Sequence, residues 1–143
     1  MPGPTPHILV VEDLDDHREL LTQVLLDLGY AVTSVADGRA ALDRVRDGLR
    51  PSLVILDLLM PVMDGARFLL DLRAHADPVL ARIPVVLMTA DPGEAADRID
   101  GANPDLLLAK PFGLRELRQA VVKFCGQGAA PPRWGSADVQ DPA

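Results

Sequence analysis

Aromatic residues are scarce in this chain, with one Trp, one Tyr and three Phe making up 3% of 143 residues. Its core must therefore be aliphatic. A single cysteine, Cys125, excludes an intrachain disulfide and is compatible with a reducing cytoplasm. Basic residues are outnumbered, 14 against 21 acidic, for a formal charge of −7, and they form no cluster. That balance argues against direct contact with nucleic acid or with an anionic membrane surface. No apolar run is long enough to span a bilayer, and Met1-Pro2-Gly3-Pro4-Thr5-Pro6 lacks the basic residues that open a secretory signal. The histidines His7, His17 and His75 are scattered, without metal-ligand spacing. These absences lead us to expect a soluble, cytoplasmic protein.

What is present suits one domain, since hydrophobic residues reach 48% and charged residues 24%. Residues 1–6 read as a flexible leader, 7–126 as the folded domain, and 127–143, with Pro131, Pro132, Trp134 and Pro142, as a Pro/Gly-rich disordered tail. Within the domain, apolar runs alternate with helical patterns. Ile8-Leu9-Val10-Val11 is followed by Leu20, Leu21, Val24, Leu25 and Leu28 at helical spacing. Asp15 and Asp16 offer that helix an N-cap, with Glu19 at capping-box distance from Asp16, and Gly29 a stop. Tyr30 to Ala36 suits an edge strand, and Asp37-Gly38 opens a second helix. Leu53-Val54-Ile55-Leu56 reads as a strand buried on both faces. A third helix starts near Asp64-Gly65. Pro84 to Met88 is a fourth strand, before a short fourth helix from Gly93 to Asp100 with Pro92 in its first turn. Leu106-Leu107-Leu108 is a fifth strand. The last helix, Leu114 to Cys125, presents Leu114, Leu117, Val121 and Phe124 on one face. Five buried strands joined by helices imply an α/β fold, a doubly wound parallel sheet of flavodoxin-like order 2-1-3-4-5 with helices on both faces.

The polar residues that end the strands then fall together. Strand one ends in Glu12-Asp13, strand three in Asp57, strand four in Thr89 and strand five in Lys110. Parallel strands place all five at one sheet edge, the edge where open α/β sheets bind ligands. Taken alone, each is an ordinary surface or capping residue; their joint placement carries the argument. Three close carboxylates repel one another unless a cation joins them, and a hard ion such as Mg²⁺ suits oxygen donors. Lys110 and the Thr89 hydroxyl suit phosphoryl oxygens, and a carboxylate can itself be the nucleophile that forms an aspartyl-phosphate. Asp57, alone at the end of the middle strand, is best placed for that attack.

Residues 7 to about 126 resemble a response-regulator receiver domain. The resemblance rests on Ile8-Leu9-Val10-Val11-Glu12-Asp13, Ala36-Asp37-Gly38 before Ala41-Leu42, Leu56 through Gly65 with Asp57, Pro61 and Asp64, Met88-Thr89-Ala90, and Lys110-Pro111-Phe112. It implies that Asp57 accepts phosphate from a sensor histidine kinase or histidine phosphotransfer protein. It also implies that Asp13, Asp57 and the Leu59 carbonyl ligate Mg²⁺ with Glu12 acting through water, that Thr89 and Lys110 contact the phosphoryl group, and that Lys110-Pro111 is cis. The chain would then promote only its own phosphorylation and dephosphorylation, not act as an enzyme on other substrates, and would signal through an unknown downstream protein.

Two features depart from the family pattern. Leu107 stands where Tyr or Phe is common, and the fourth helix is about a turn short while Asn103-Pro104 lengthens the approach to strand five. Both touch the signalling face. The 17 residues after 126 are too few for an output domain, so output by protein–protein contact is expected, from a stand-alone receiver or a phosphorelay intermediate. Rival readings are a Mg²⁺-dependent aspartyl-phosphate hydrolase, disfavoured by Leu59 where such enzymes carry a second Asp, and a receiver-like module with output independent of phosphate.

Overall fold

Each strand is a short β-branched or Leu-rich run, and each closes its backbone hydrogen bonds with neighbours running the same way. The computed structural model describes residues 5–58, 64–99 (Arg98 by its backbone only) and 103–126. Strands β1 (His7–Val11), β2 (Ala31–Val35), β3 (Leu53–Asp57), β4 (Val85–Thr89) and β5 (Leu106–Ala109) form one sheet in the order β2-β1-β3-β4-β5. Every pairing is parallel. The expected flavodoxin-like topology is the one observed. Central β3 is buried along its whole length, whereas edge strand β2 is half-buried throughout.

Among the described residues there are six helices, five lying between strands and the last following β5: α1 (Asp15–Asp27), α2 (Gly38–Arg46), α3 (Gly65–Arg73), α4 (Pro78–Ala81), α5 (Pro92–Arg98) and α6 (Leu114–Cys125). Alternation along the strands sorts the core into two layers. Leu9, Val11, Val54, Leu56, Val85 and Leu87 pack with Leu42, Phe68, Leu69 and Leu72 of α2 and α3, and with Ala95 of α5. On the other face Ile8, Val10, Ile55, Val86 and Met88 pack with Leu21 and Leu25 of α1 and with Leu117 and Val121 of α6.

Several local expectations need correction. Helix α1 starts at Asp15 with Leu14 as its N-cap, so Asp15 and Asp16 lie in the first turn and Glu19 completes no capping box. There Asp15 pairs with Arg18, and both acids face the positive helix end. Leu20 points outward, 65% exposed, leaving Leu21, Leu25 and Leu28 as the buried stripe. In α6 the inward face is Leu117, Ala120 and Val121, while Leu114 is 43% exposed. Helix α4 was not expected; Asp77 caps it through the Val79 N–H, with Pro78 in its first turn. The helix expected at 93–100 is α5, which starts at Pro92 and is seven residues long. The end of the leader is already tied to the sheet, because Pro6 accepts a hydrogen bond from the Ala31 N–H. Residues 1–4 and 127–143, including Trp134, lie outside the described residues.

Far from the polar strand ends, Arg73 ties the opposite edge together. Its guanidinium donates to the carbonyls of Ala81, Ile83 and Asn103 and pairs with Asp105 at 2.7 Å. Asp105 in turn accepts from the Val85 N–H. This clip fixes the lengthened approach to β5.

Candidate functional site

Parallel register brings the strand ends level. Val11 pairs with Leu56, Asp57 with Met88, and Thr89 with Ala109. Glu12, Asp13, Asp57, Thr89 and Lys110 therefore emerge at one edge within a few residues of one another. Carboxylate oxygens of Glu12, Asp13 and Asp57 all lie within 4.8 Å of each other. Lys110 reaches over them, its Nζ 3.3 Å from Asp57 Oδ1 and 3.4 Å from Glu12 Oε1. Asp13, Asp57, Thr89 and Lys110 line one cavity of about 240 Å³, together with Leu14, Leu58 and Ala90.

Each acid has its own environment. Glu12 is fully buried, and its Oε2 accepts a hydrogen bond from the Leu14 N–H at 3.2 Å. Burial works against its charge, but the Leu14 N–H and the Lys110 ammonium outweigh burial and hold its carboxyl below the usual value. Asp57, 7% exposed, goes the other way. Burial first, and then the negative charge of Glu12, push its carboxyl up to about 6 despite Lys110. Asp13 is half-buried and opens toward solvent.

The Thr89 hydroxyl lines the cavity but is engaged elsewhere. It donates to the Asp91 carbonyl at 3.2 Å and accepts from the Asp91 N–H at 3.1 Å. Lys110-Pro111 is cis. The Leu59 carbonyl, expected as a metal ligand, lies outside the described residues. His17, to which the sequence assigned no role, comes to 4.0 Å from Glu12 Oε1 from an exposed position on α1. The hydrogen bond that orients Glu12 is equally illegible in the sequence, being a contact from the Leu14 backbone N–H.

Gly65 sets how closely the end of β3 meets α3. Its N–H donates to the Leu58 carbonyl at 2.8 Å. A Cβ there would collide with the Asp57 carbonyl oxygen and come within 2.9 Å of the Leu58 Cα. Asp64, the residue before it, caps α3 through the Arg67 N–H.

Three hard-oxygen donors beside one ammonium match the preference of Mg²⁺ for a few carboxylates and retained waters. No histidine or cysteine joins that group among the described residues, so the donor set does not favour a softer metal. The residues present fit a bound magnesium ion.

The fold is thus a doubly wound parallel sheet with an acidic, lysine-bearing pocket at its carboxyl edge. Residues 8–122 match the family model of the response regulator receiver domain, and the chain belongs to that family. Among solved structures it is similar to the receiver domain of sensor histidine kinase PA1611 from Pseudomonas aeruginosa, which holds a magnesium ion in its active-site cleft. That likeness has a TM-score of 0.76 at 30% identity, over 87% of this chain and 100% of the other. The chemotaxis protein CheY4 of Vibrio cholerae superposes with a TM-score of 0.76 at 27% identity, over 85% of this chain and 99% of the other. Among curated relatives, the protein PetR of Rhodobacter capsulatus is 38% identical over 119 residues, 82% of this chain and 47% of PetR. The probable transcriptional regulator ycf27 of Cyanophora paradoxa is 38% identical over 116 residues, 80% of this chain and 46% of its own length. The chain thus spans about half the length of the curated relatives it matches. No helix among the described residues is long and apolar enough to cross a membrane.

Proposed function

We propose that Asp57 is a phosphoacceptor and that the chain signals by carrying the phosphoryl group. The observation that carries this reading is Lys110 Nζ standing between Asp57 and Glu12, at 3.3 and 3.4 Å, over an acidic trio that fits Mg²⁺. Asp13 and Asp57, with the Leu59 carbonyl, would hold the ion and Glu12 would hold its waters. When bound, the ion offsets repulsion between the carboxylates and an anionic donor and stabilises charge on the transferring oxygens.

An Asp57 carboxylate oxygen attacks phosphorus in a phosphohistidine, its P–O bond forming as the P–N bond breaks. The leaving imidazole nitrogen keeps the electron pair and takes a proton. Lys110 exchanges its contact with the carboxylate for one with a phosphoryl oxygen, and the Thr89 hydroxyl donates to another. Attack by water on the acyl phosphate later returns the carboxylate and inorganic phosphate. The donor is a sensor histidine kinase or a histidine phosphotransfer protein. The readout is a protein–protein contact that depends on phosphorylation, or onward transfer as a phosphorelay intermediate. The chain is not an enzyme on other substrates, works in the cytoplasm, and its formal charge of −7 disfavours direct contact with DNA.

Phosphoramidate, a small P–N donor, tests this reading. Incubation with Mg²⁺ should place one phosphoryl group on the protein and release one ammonia for each group transferred, with no sustained turnover of phosphate esters. Multiple turnover of esters would instead support a hydrolase, and no modification would support a module that works without phosphate.

A further inference from the structure

Two apolar cavities lie side by side between α1 and the start of α6. One, of about 360 Å³, is walled by Leu20, Leu21, Met88, Pro111 and Phe112 and reaches Ala90 and Lys110, which also line the phosphoryl cavity. The other, of about 310 Å³, shares Leu20, Leu21 and Phe112 and is closed by Val24, Leu114 and Leu117. Together they make one groove, and its rim stands open: Leu20 is 65% exposed and Leu114 43%. Both leucines fall at helical core spacing in the sequence, so two residues patterned for burial face solvent across an apolar cleft.

The chain itself supplies an occupant of the right kind. Helix α6 ends at Cys125, and the Gly126 carbonyl accepts a hydrogen bond from the buried Tyr30 hydroxyl. Gly126 has φ 73°, a left-handed conformation that lets the chain leave the helix axis. From there to Trp134 the sequence runs Gln127, Gly128, two alanines and Pro131-Pro132, with Arg133 as its one charge. Those eight residues, extended, span up to about 28 Å, whereas α6, at 12 residues, is about 18 Å long. A segment returning along α6 therefore brings Trp134 level with Leu114 and Phe112 with length to spare, and consecutive prolines favour such an extended path. Trp134 is the one large apolar side chain of 127–134, and a tryptophan can bury about 150–250 Å². Asp16, exposed and one turn before Leu20 on the same helix face, offers Arg133 an opposite charge.

We propose that residues 127–134 fold back along α6 and seat Trp134 in the groove between α1 and α6, so that the chain covers its own apolar cleft. A linker this short holds the indole near the groove at an effective concentration in the millimolar range, which favours the chain's own tryptophan over that of a second copy. While the indole is seated, the same wall is closed to any other protein, and the segment competes with partners for it. The proposal stands whether or not Asp57 takes a phosphoryl group.

Trp134 is the chain's one tryptophan, so the fluorescence of the full chain, excited selectively at tryptophan, reads this residue alone. In native wild type the emission should be blue-shifted, and quenching by acrylamide severalfold weaker, relative to the urea-unfolded chain, at every protein concentration. Leu20→Gln combined with Leu114→Gln removes the apolar rim at two exposed positions. That variant should return both readings to the unfolded values while circular dichroism shows the domain folded. Deletion of residues 128–132 touches no described residue and leaves Trp134 three residues from Gly126, a reach of about 10 Å. It should expose the indole in the same way, and it decides the matter alone if the rim variant does not fold. Native emission and quenching equal to those of the unfolded chain overturn the proposal. So does shielding that survives the deletion or the folded rim variant, which places the indole elsewhere. Shielding that grows with protein concentration overturns it too, since the occupant is then a second copy.

Discussion

Glu12 and Asp57, side by side at the ends of β1 and β3, divide the charge of the pocket unequally. Burial and the Glu12 charge raise Asp57 to about 6, while the Leu14 N–H and Lys110 keep Glu12 below its ordinary value. The cost of holding negative charge in the pocket therefore falls on Asp57, the residue assigned to attack, and Lys110 offsets only part of it.

That asymmetry sets a pH dependence. Asp57 titrates higher in the fold than in the unfolded chain, where 3.8 is its ordinary value. Between those two values the unfolded chain has already lost the proton, so stability falls as pH rises through the window and the loss is complete above about 6. Glu12 has the opposite sign: its contribution is present above 4.5 and lost as pH falls through its lowered value. Asp57→Asn isolates the first effect. In EDTA at neutral pH the variant should be more stable than wild type in urea melts by on the order of 1–3 kcal/mol, the gap closing toward pH 4.

Divalent cations should reverse that penalty. Saturating Mg²⁺ at about 100 times its Kd should stabilise wild type by about 2.7 kcal/mol, and EDTA should remove the gain. Asp13→Ala should abolish the shift. Lys110→Ala should tighten metal binding, because it removes a competing cation 3.3 Å from Asp57, yet slow phosphorylation strongly. Calorimetric titration with Mg²⁺ and phosphorylation by acetyl phosphate measure the two effects separately.

Gly65→Ala tests the packing beneath the nucleophile. The added methyl would meet the Asp57 carbonyl and the Leu58 Cα, backbone atoms that move only with the end of β3. A loss of roughly 1–3 kcal/mol is expected in denaturant melts, with slower phosphorylation than stability alone explains.

Arg73→Ala supplies the contrast. It would remove the clip to Ala81, Ile83, Asn103 and Asp105 at the opposite edge of the sheet. A loss of about 2–3 kcal/mol is expected, with the rate of phosphorylation unchanged in the folded fraction.

The strands were legible because each is an apolar run closed by a polar residue, and their succession with helices left one favoured topology. Glu12, Asp13, Asp57, Thr89 and Lys110 followed as neighbours from register alone. What escaped the sequence depended on backbone contacts or on small shifts of face. Helix α1 begins one residue past Leu14 instead of being capped by its own acids. Ala120 takes the inward position expected for Leu114, and α4 occupies only Pro78–Ala81. Nor could spacing show that Thr89 is turned toward Asp91, since that bond joins a side chain to a main chain two residues away.

The most direct test is peptide-level mass spectrometry of the protein after acetyl phosphate and Mg²⁺. The account predicts a single acid-stable, base-labile phosphoryl group on Asp57, absent in Asp57→Asn and absent in EDTA. A phosphoryl group that persists in Asp57→Asn, or none in wild type with Mg²⁺ bound, would contradict it.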